Sequence, residues 1–326
     1  MGFNVIESYQ RIAKQYRQYL QTMFSISDPE YMDLFSKALS SEGQFEKGPY
    51  LDVSNSFEKG KSVKELVDEG ILNKGFLNIT RFKNMRLYYH QEESLRKSIG
   101  GDNMIVSTGT GSGKTECFLI PVLNEIMNEV TKAKEKGEEM EPGVRALIIY
   151  PMNALANDQM DRLRKILIDY PDITFGSYTG QTKHMERTKR GIEGAYEQYI
   201  RLHGKRSDDQ RLRVPLKNEI LSRERMKKEP PHILITNYAM LEYLMLRPED
   251  NVFFDGQYAG HWKFIILDEA HTYSGSTGIE VSMLLRRLQA KLNNNLSHEL
   301  QFFLTSATLG DKDSDLEVIQ FGIPFL

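Results

Sequence analysis

The stretch Ser107-Thr108-Gly109-Thr110-Gly111-Ser112-Gly113-Lys114-Thr115-Glu116 decides how the chain is read. The apolar run Met104-Ile105-Val106 leads into it, and an amphipathic helical pattern follows from Glu116. The order is strand, tight loop, helix. Three glycines let the backbone turn sharply and aim successive N–H groups inward, which makes a nest for phosphate oxygens. A helix starting near Gly113 adds its free N–H groups and the positive end of its dipole. Lys114 is spaced to reach the β- and γ-phosphates, and the Thr115 hydroxyl to bind Mg²⁺. Thr108 stands where the usual phosphate loop has its first glycine. Two plainer readings compete. A dinucleotide-binding turn needs a third glycine where Lys114 stands, so it fails. An ordinary Gly-rich turn stays open on this stretch alone.

A second stretch closes most of that gap. Phe264-Ile265-Ile266-Leu267 reads as a strongly buried strand with Asp268-Glu269-Ala270-His271 at its carboxyl end. A strand placed beside the loop strand lets Asp268 hold the Mg²⁺ that Thr115 also touches. Glu269, turned toward the γ-phosphate, can orient and deprotonate a water. An isolated Asp-Glu is commonly a surface acidic pair. Here both halves of a site for ATP and Mg²⁺ fall on expected strand ends of one chain.

Strand and helix patterns alternate elsewhere too: Arg145–Tyr150, His232–Thr236 and Gln301–Leu304 as strands, with helices between. The expected fold is α/β: a parallel sheet flanked by helices, in the manner of a P-loop NTPase. Residues 1–85 read as a mostly helical accessory segment without recognisable chemistry, and 86–326 as the main domain. Asn153 is expected to cap the helix after Pro151, Ile173–Phe175 to form a short strand, and Leu216–Met226 to be helical.

Composition narrows the class. The 326 residues are 40% hydrophobic and 27% charged, with a net charge of −3, so any nucleic-acid surface must be local. One candidate is the segment 183–228, with fourteen Lys or Arg against seven Asp or Glu. It reads either as an insertion with solvated faces or as an electrostatic track for a phosphate backbone. The lone Cys117 excludes a disulfide framework and reads as a small buried residue. No signal pattern and no membrane-length apolar run is present, so a soluble cytoplasmic protein with no membrane partner is expected. Asp311–Asp315 lacks the Gly and Glu of a calcium loop.

In order, these motifs resemble the first RecA-like domain of superfamily 2 helicases of the DEAD/DEAH-box type. Gln91, roughly two dozen residues ahead of Lys114, resembles the adenine-reading Gln, and Thr108–Thr115 motif I. Tyr150-Pro151-Met152-Asn153-Ala154-Leu155-Ala156-Asn157-Asp158-Gln159 resembles motif Ia, Thr179-Gly180 motif Ib, and Thr236-Asn237-Tyr238 the next strand-end contact. Asp268–His271 resembles motif II and Ser306-Ala307-Thr308 motif III.

The resemblance implies several roles. ATP contacts run from Thr108 to Glu116 together with Gln91. Lys114, Asp268 and Glu269 are catalytic, with metal at Thr115 and Asp268. Nucleic-acid backbone contacts fall at Pro151, Asn153, Asn157, Gln159, Thr179, Gly180, Thr236, Asn237 and Tyr238. His271, Ser306, Ala307 and Thr308 couple the nucleotide to a neighbouring domain.

Gly48-Pro49-Tyr50, the loop and Tyr150–Leu155 are similar to the large bacterial MrfA-like and Lhr-like helicases, some of them in antiphage systems. That closer likeness implies DNA as partner and 3′-to-5′ translocation. The family's second RecA-like lobe, with its arginine fingers, is expected after motif III. No such lobe is legible here, so a fragment, or completion by a partner protein in trans, is expected. A nucleotide-gated binding module that never unwinds remains the alternative.

Overall fold

The computed structural model describes residues 4–41, 56–109, 111–204, 209–293 and 295–307. Gly48-Pro49-Tyr50, Thr110, Thr308 and Asp311–Asp315 lie outside them. The chain divides into two units, Met1–Ser56 and Phe57–Leu326. In the first, α1 (Val5–Met23) is capped by the Asn4 side chain and α2 (Pro29–Ser40) by Asp28. Gln21 Nε2 donates to Ser36 Oγ at 3.1 Å, joining the two helices.

The second unit opens with β1 (Lys59–Ser62), α3 (Val63–Asp68) and β2 (Arg86–Tyr88), the two strands pairing antiparallel. Next come α4 (Tyr89–Ile99), β3 (Met104–Ser107), α5 (Lys114–Glu135), β4 (Ala146–Tyr150), α6 (Asn153–Leu167) and β5 (Phe175–Ser177). The remainder is α7 (Ala195–His203), α8 (Arg223–Lys228), β6 (Ile233–Asn237), α9 (Tyr238–Leu246), β7 (Phe264–Leu267), α10 (Gly275–Asn293) and β8 (Gln301–Ser306). Strands β3 to β8 form one all-parallel sheet in the order β3-β8-β7-β4-β6-β5. No helix among the described residues is long and apolar enough to cross a membrane.

Both sheet faces are buried, which is why the strands read as unbroken apolar runs rather than alternating ones. Ala146, Ile148, Ile266 and Phe303 face a core shared with α3 to α6. Leu147, Ile149, Ile265, Leu267 and Leu304 face the other core, with α9 and α10. Residues 57–85 are part of the first core through Val63, Leu66, Phe76 and Phe82.

Helix α5 carries Pro121, which cannot donate to the Cys117 carbonyl one turn back. The Ser94 hydroxyl of α4 donates to that carbonyl at 2.7 Å, so the break in α5 becomes a tie to α4. Cys117 itself is fully buried, and burial, reinforced by Glu116, pushes its thiol up to about 12.

Several sequence expectations shift. The short strand lies at Phe175–Ser177, two residues later than expected. Leu216–Ser222 is not helical. Its backbone runs along the sheet edge, Phe175 N–H donating to the Asn218 carbonyl and Ile220 N–H to the Phe175 carbonyl. Asn218, Glu219 and Ile220 are buried as a result. Asn153 is the first residue of α6, and no side chain caps that helix.

Candidate functional site

Parallel strands bring their carboxyl ends to one edge, and strand register levels the residues there. Ser107 of β3 pairs with Ser306 of β8, Leu267 of β7 pairs with Leu304, and Ile149 of β4 pairs with Leu267. Tyr150 in turn pairs with Asn237 of β6. The phosphate-loop strand, motif III, motif II, motif Ia and the Asn237 turn therefore end side by side. One detail differs from expectation: the Asp268 strand is not beside the loop strand, because β8 lies between them. Asp268 touches that intervening strand instead, where the Thr305 hydroxyl donates to its Oδ1.

The loop is held from three sides. Thr108 N–H donates to the Ser306 carbonyl at 3.3 Å. The Thr108 and Ser112 hydroxyls are hydrogen-bonded at 2.6 Å, with Ser112 fully buried. From α4, Gln91 Nε2 donates to the Gly113 carbonyl at 3.0 Å and Oε1 accepts from Tyr88 N–H at 2.9 Å. His90 Nε2 pairs with the Ser112 carbonyl at 3.0 Å. Gly111 and Gly113 have φ of 80° and 75°, which glycine alone adopts without strain. Lys114 Nζ donates to the carbonyls of Thr108 (3.0 Å) and Gly109 (3.2 Å), keeping the ammonium against the loop. Lys114 and Thr115 are partly exposed.

Glu116 is placed differently. It is buried, and its Oε1 receives Arg81 (2.8 Å) and Arg162 of α6 (2.6 Å). Neither arginine was legible from sequence, since each is far from Glu116 along the chain. Together they tie the start of α5 to the helix that carries motif Ia.

At the motif II turn, Asp268 is buried and its Oδ1 also accepts from Glu269 N–H at 3.0 Å. Glu269 has φ 52° and ψ 45°, a left-handed conformation that is uncommon for a side chain longer than Asn or Asp. Its Oε2 lies 3.4 Å from His271 Nδ1 and has no hydrogen-bond partner among the described residues. The Tyr150 hydroxyl is also buried and unpartnered there. Burial, then the neighbouring Asp268 carboxylate, holds its pKa well above the usual tyrosine value. The sequence places Tyr150 only within the motif Ia resemblance and gives neither it nor Thr305 a role at this turn. The signal was a hydroxyl at the end of each otherwise apolar strand.

The proposed nucleic-acid residues fall into two groups. Asn157 and Gly180 are exposed, while Pro151, Asn153, Asn237 and Tyr238 are partly so. Gln159, Thr179 and Thr236 are buried. Thr236 Oγ1 donates to the Tyr178 carbonyl at 2.7 Å, and Asn237 caps α9 through Met240 N–H while its Nδ2 reaches Asn153 Oδ1 at 2.7 Å. In the basic segment, charges are largely matched. Lys183 and Arg201 pair with Glu193, Arg187 with Glu197, Arg211 with Asp209 and Asp169, and Lys228 with Glu224.

The donor set suits a hard cation. A Thr hydroxyl and an Asp carboxylate are oxygen ligands of the kind Mg²⁺ takes, with phosphates and water supplying the rest. Among the described residues no three His, Cys, Asp or Glu side chains gather as a self-sufficient metal cage.

Comparisons with known proteins follow the same lines. The Druantia protein DruE of Escherichia coli is 27% identical over 384 residues, covering 93% of this chain and 20% of DruE. ATP-dependent helicase Lhr-Core of Methanothermobacter thermautotrophicus is 30% identical over 191 residues, covering 58% of this chain and 18% of its own length. The chain thus spans about a fifth of these relatives. The fold matches the crystal structure of DUF1998 helicase MrfA bound to DNA, with a TM-score of 0.56 and 24% identity over 83% of this chain and 30% of MrfA. The family model of the DEAD/DEAH box helicase matches residues 88–210 and 197–316, from the strand before Gln91 to beyond motif III. That span takes in the whole six-stranded sheet, and the chain belongs to the DEAD/DEAH box helicase family.

Proposed function

We propose that the chain is the ATP-binding lobe of an ATP-dependent helicase or translocase acting on nucleic acid, with DNA as the substrate. The observation that carries this is the common carboxyl edge of β3, β8, β7, β4 and β6, along which the loop, Ser306, Asp268-Glu269, Asn153 and Asn237 are lined up. The DNA bound to MrfA in its crystal structure supports the choice of substrate.

In this reading the nested N–H groups of Gly111 to Thr115 and the Lys114 ammonium hold the β- and γ-phosphates. Thr115 and Asp268 hold Mg²⁺, which when bound neutralises phosphate charge. Thr305 fixes the Asp268 carboxylate in place. Glu269, turned by its left-handed backbone, accepts a proton from the water that attacks the γ-phosphorus, and the bond to ADP breaks. Positioning and charge neutralisation supply most of the rate in such transfers. Asn157, Gly180, Asn153 and Asn237 form a sequence-blind edge for a sugar-phosphate backbone. Gln159, Thr179 and Thr236 set the shape of that edge from beneath. Arginines from a second lobe, in cis or from a partner in trans, complete the site. They are worth about 10³–10⁵ in rate in related chemistry.

The test is Glu269→Gln, with single-turnover hydrolysis and binding of a non-hydrolysable ATP analogue measured side by side. Hydrolysis is expected to fall by about 10²–10⁴-fold while analogue affinity changes little. Hydrolysis left at the wild-type rate sinks the role given to Glu269.

A further inference from the structure

An adenine-reading glutamine has a geometric requirement that Gln91 does not meet. Adenine presents an amino donor and a ring-nitrogen acceptor side by side, and a glutamine reads them by turning its amide oxygen and nitrogen to the base together. In Gln91 both atoms face the protein. Oε1 accepts from Tyr88 N–H at 2.9 Å, Nε2 donates to the Gly113 carbonyl at 3.0 Å, and the residue is only 2% exposed. Each atom has a second hydrogen-bonding position. No base edge reaches it on a side chain covered to that extent.

Rotating the amide outward gains nothing. It exchanges two hydrogen bonds to the backbone for two to a base, and leaves Tyr88 N–H and the Gly113 carbonyl without this partner. A bond exchanged for an equivalent one contributes little, while a group left unmatched costs free energy. Gly113 also stands at the start of α5 with φ 75°, where the brace helps to fix the loop.

The surface beside the brace is aromatic. Tyr88 and His90 are stacked, with ring centres 5.7 Å apart and planes at 18°. Phe57 lies 5.4 Å from the first and 5.6 Å from the second, and 36% of it is exposed. His90 connects this group to the loop through the Ser112 carbonyl. A ring face does not tell one base from another, because every base has a π-face.

We propose that the nucleotide site is nearly indifferent to the base and takes GTP, CTP and UTP as well as ATP. Recognition lies in the triphosphate, and Gln91 holds the loop without reading the nucleotide. This rests on the nucleotide site proposed above. The attack of water on the γ-phosphorus does not involve the base, so the same hydrolysis runs on each of the four.

Displacement of ADP labelled on its ribose with a fluorophore, in the presence of Mg²⁺, ranks the four triphosphates on the wild-type chain. GTP against ATP is the sharpest comparison. Both are purines, but guanine has an acceptor where adenine has its amino donor. A base edge read by two hydrogen bonds gives a preference of at least about fivefold. A ratio below that is expected, and a larger preference for ATP over GTP overturns the proposal. Gln91→Ala is expected to weaken ATP and GTP by the same factor, through the loop. A loss confined to ATP in that variant also overturns it. Binding of ATP without GTP, CTP or UTP sinks this proposal alone. A chain that binds neither the labelled ADP nor any triphosphate sinks the nucleotide site itself, and this proposal with it.

Discussion

Gln91 Nε2 sits against the backbone of Gly113, donating to its carbonyl at 3.0 Å, and a Cβ built on Gly113 meets the same nitrogen at 2.3 Å. The glutamine braces the loop, and the loop has no room for anything but glycine at that point. Gln91→Ala removes the partner of both Tyr88 N–H and the Gly113 carbonyl. It is expected to cost about 1–3 kcal/mol in urea denaturation. Gly113→Ala is expected to cost more and to abolish binding of an ATP analogue, because its φ of 75° is strained for alanine as well as crowded. A Gly113→Ala chain with wild-type stability and nucleotide affinity is incompatible with this brace.

Thr305 and Asp268 make the corresponding contact on the side of the site proposed to hold Mg²⁺. Thr305→Val keeps the shape of a fully buried side chain and removes the donor. Groups that orient a metal-binding carboxylate are typically worth about 10–100-fold in metal affinity or activity. The Mg²⁺ concentration needed for half-maximal nucleotide binding is expected to rise by that order, and Thr305→Ser to restore it. An unchanged Mg²⁺ titration removes Thr305 from the site.

His232 makes stability depend on pH. Its Nδ1 accepts from Thr174 N–H at 3.0 Å and its Nε2 pairs with the Glu141 carbonyl at 3.2 Å, so the ring is held neutral. Burial, then the nearby Arg145 charge, lowers its pKa to about 4. In the unfolded chain the ring protonates near 6.5, so between these values the unfolded state binds more protons. Stability from this group is complete above pH 6.5 and is lost as pH falls toward 4, by about 3 kcal/mol. Urea denaturation of wild type and His232→Asn at pH 7 and pH 4.5 checks it. The pH-dependent loss is expected to shrink in the variant, and parallel losses in the two proteins rule it out.

Much of this arrangement is legible in the sequence. Runs such as Phe264–Leu267 are apolar throughout because both faces of a parallel sheet are covered, and loop and motif II residues carry their chemistry in their identities. What escaped depends on backbone pairing or on distance along the chain. Lys59-Gly60-Lys61-Ser62 has no apolar pattern, yet it forms β1 by pairing with β2. Leu216–Ser222 has apolar residues at helical spacing, but its N–H and carbonyl groups are used by Phe175. The insertion of β8 between β3 and β7 follows from sheet order, which no local window contains. Asn153 has the chemistry of a cap, but its oxygen is taken by Asn237 from the neighbouring strand end.

Pairing within the charged segment also decides which cations are open to a phosphate backbone. Lys189 and Arg190 are exposed at a tight turn, closed by Lys189 N–H to the Ile192 carbonyl and the reverse, with Arg190 at φ 53°. Among the described residues they make no ion pair, whereas Arg201 and Lys228 do. Lys189→Gln with Arg190→Gln is expected to reduce the slope of log affinity against log salt by about 1–2 for single-stranded DNA. Arg201→Gln with Lys228→Gln is expected to leave the slope nearly unchanged. Equal slopes in all three proteins discard the turn as a phosphate contact.

The segment's fixed point is the pair of Arg164 and Glu219, which joins α6 to the sheet edge beside Phe175. Burial alone pulls the guanidinium down, but the adjoining Glu219 carboxylate holds Arg164 above its ordinary value, while burial raises Glu219 against the pull of Arg164, so the charge on each depends on the other. Removing one member of such a pair strands the other charge in a low-dielectric interior. Glu219→Ala is therefore expected to cost about 3–5 kcal/mol, and Arg164→Met a similar amount. The double variant Arg164→Met with Glu219→Leu is expected to recover most of the loss, since no unmatched charge remains. Urea denaturation of the four proteins measures the coupling. Additive losses in the double variant mean that the pair acts only through packing, and the charge argument fails.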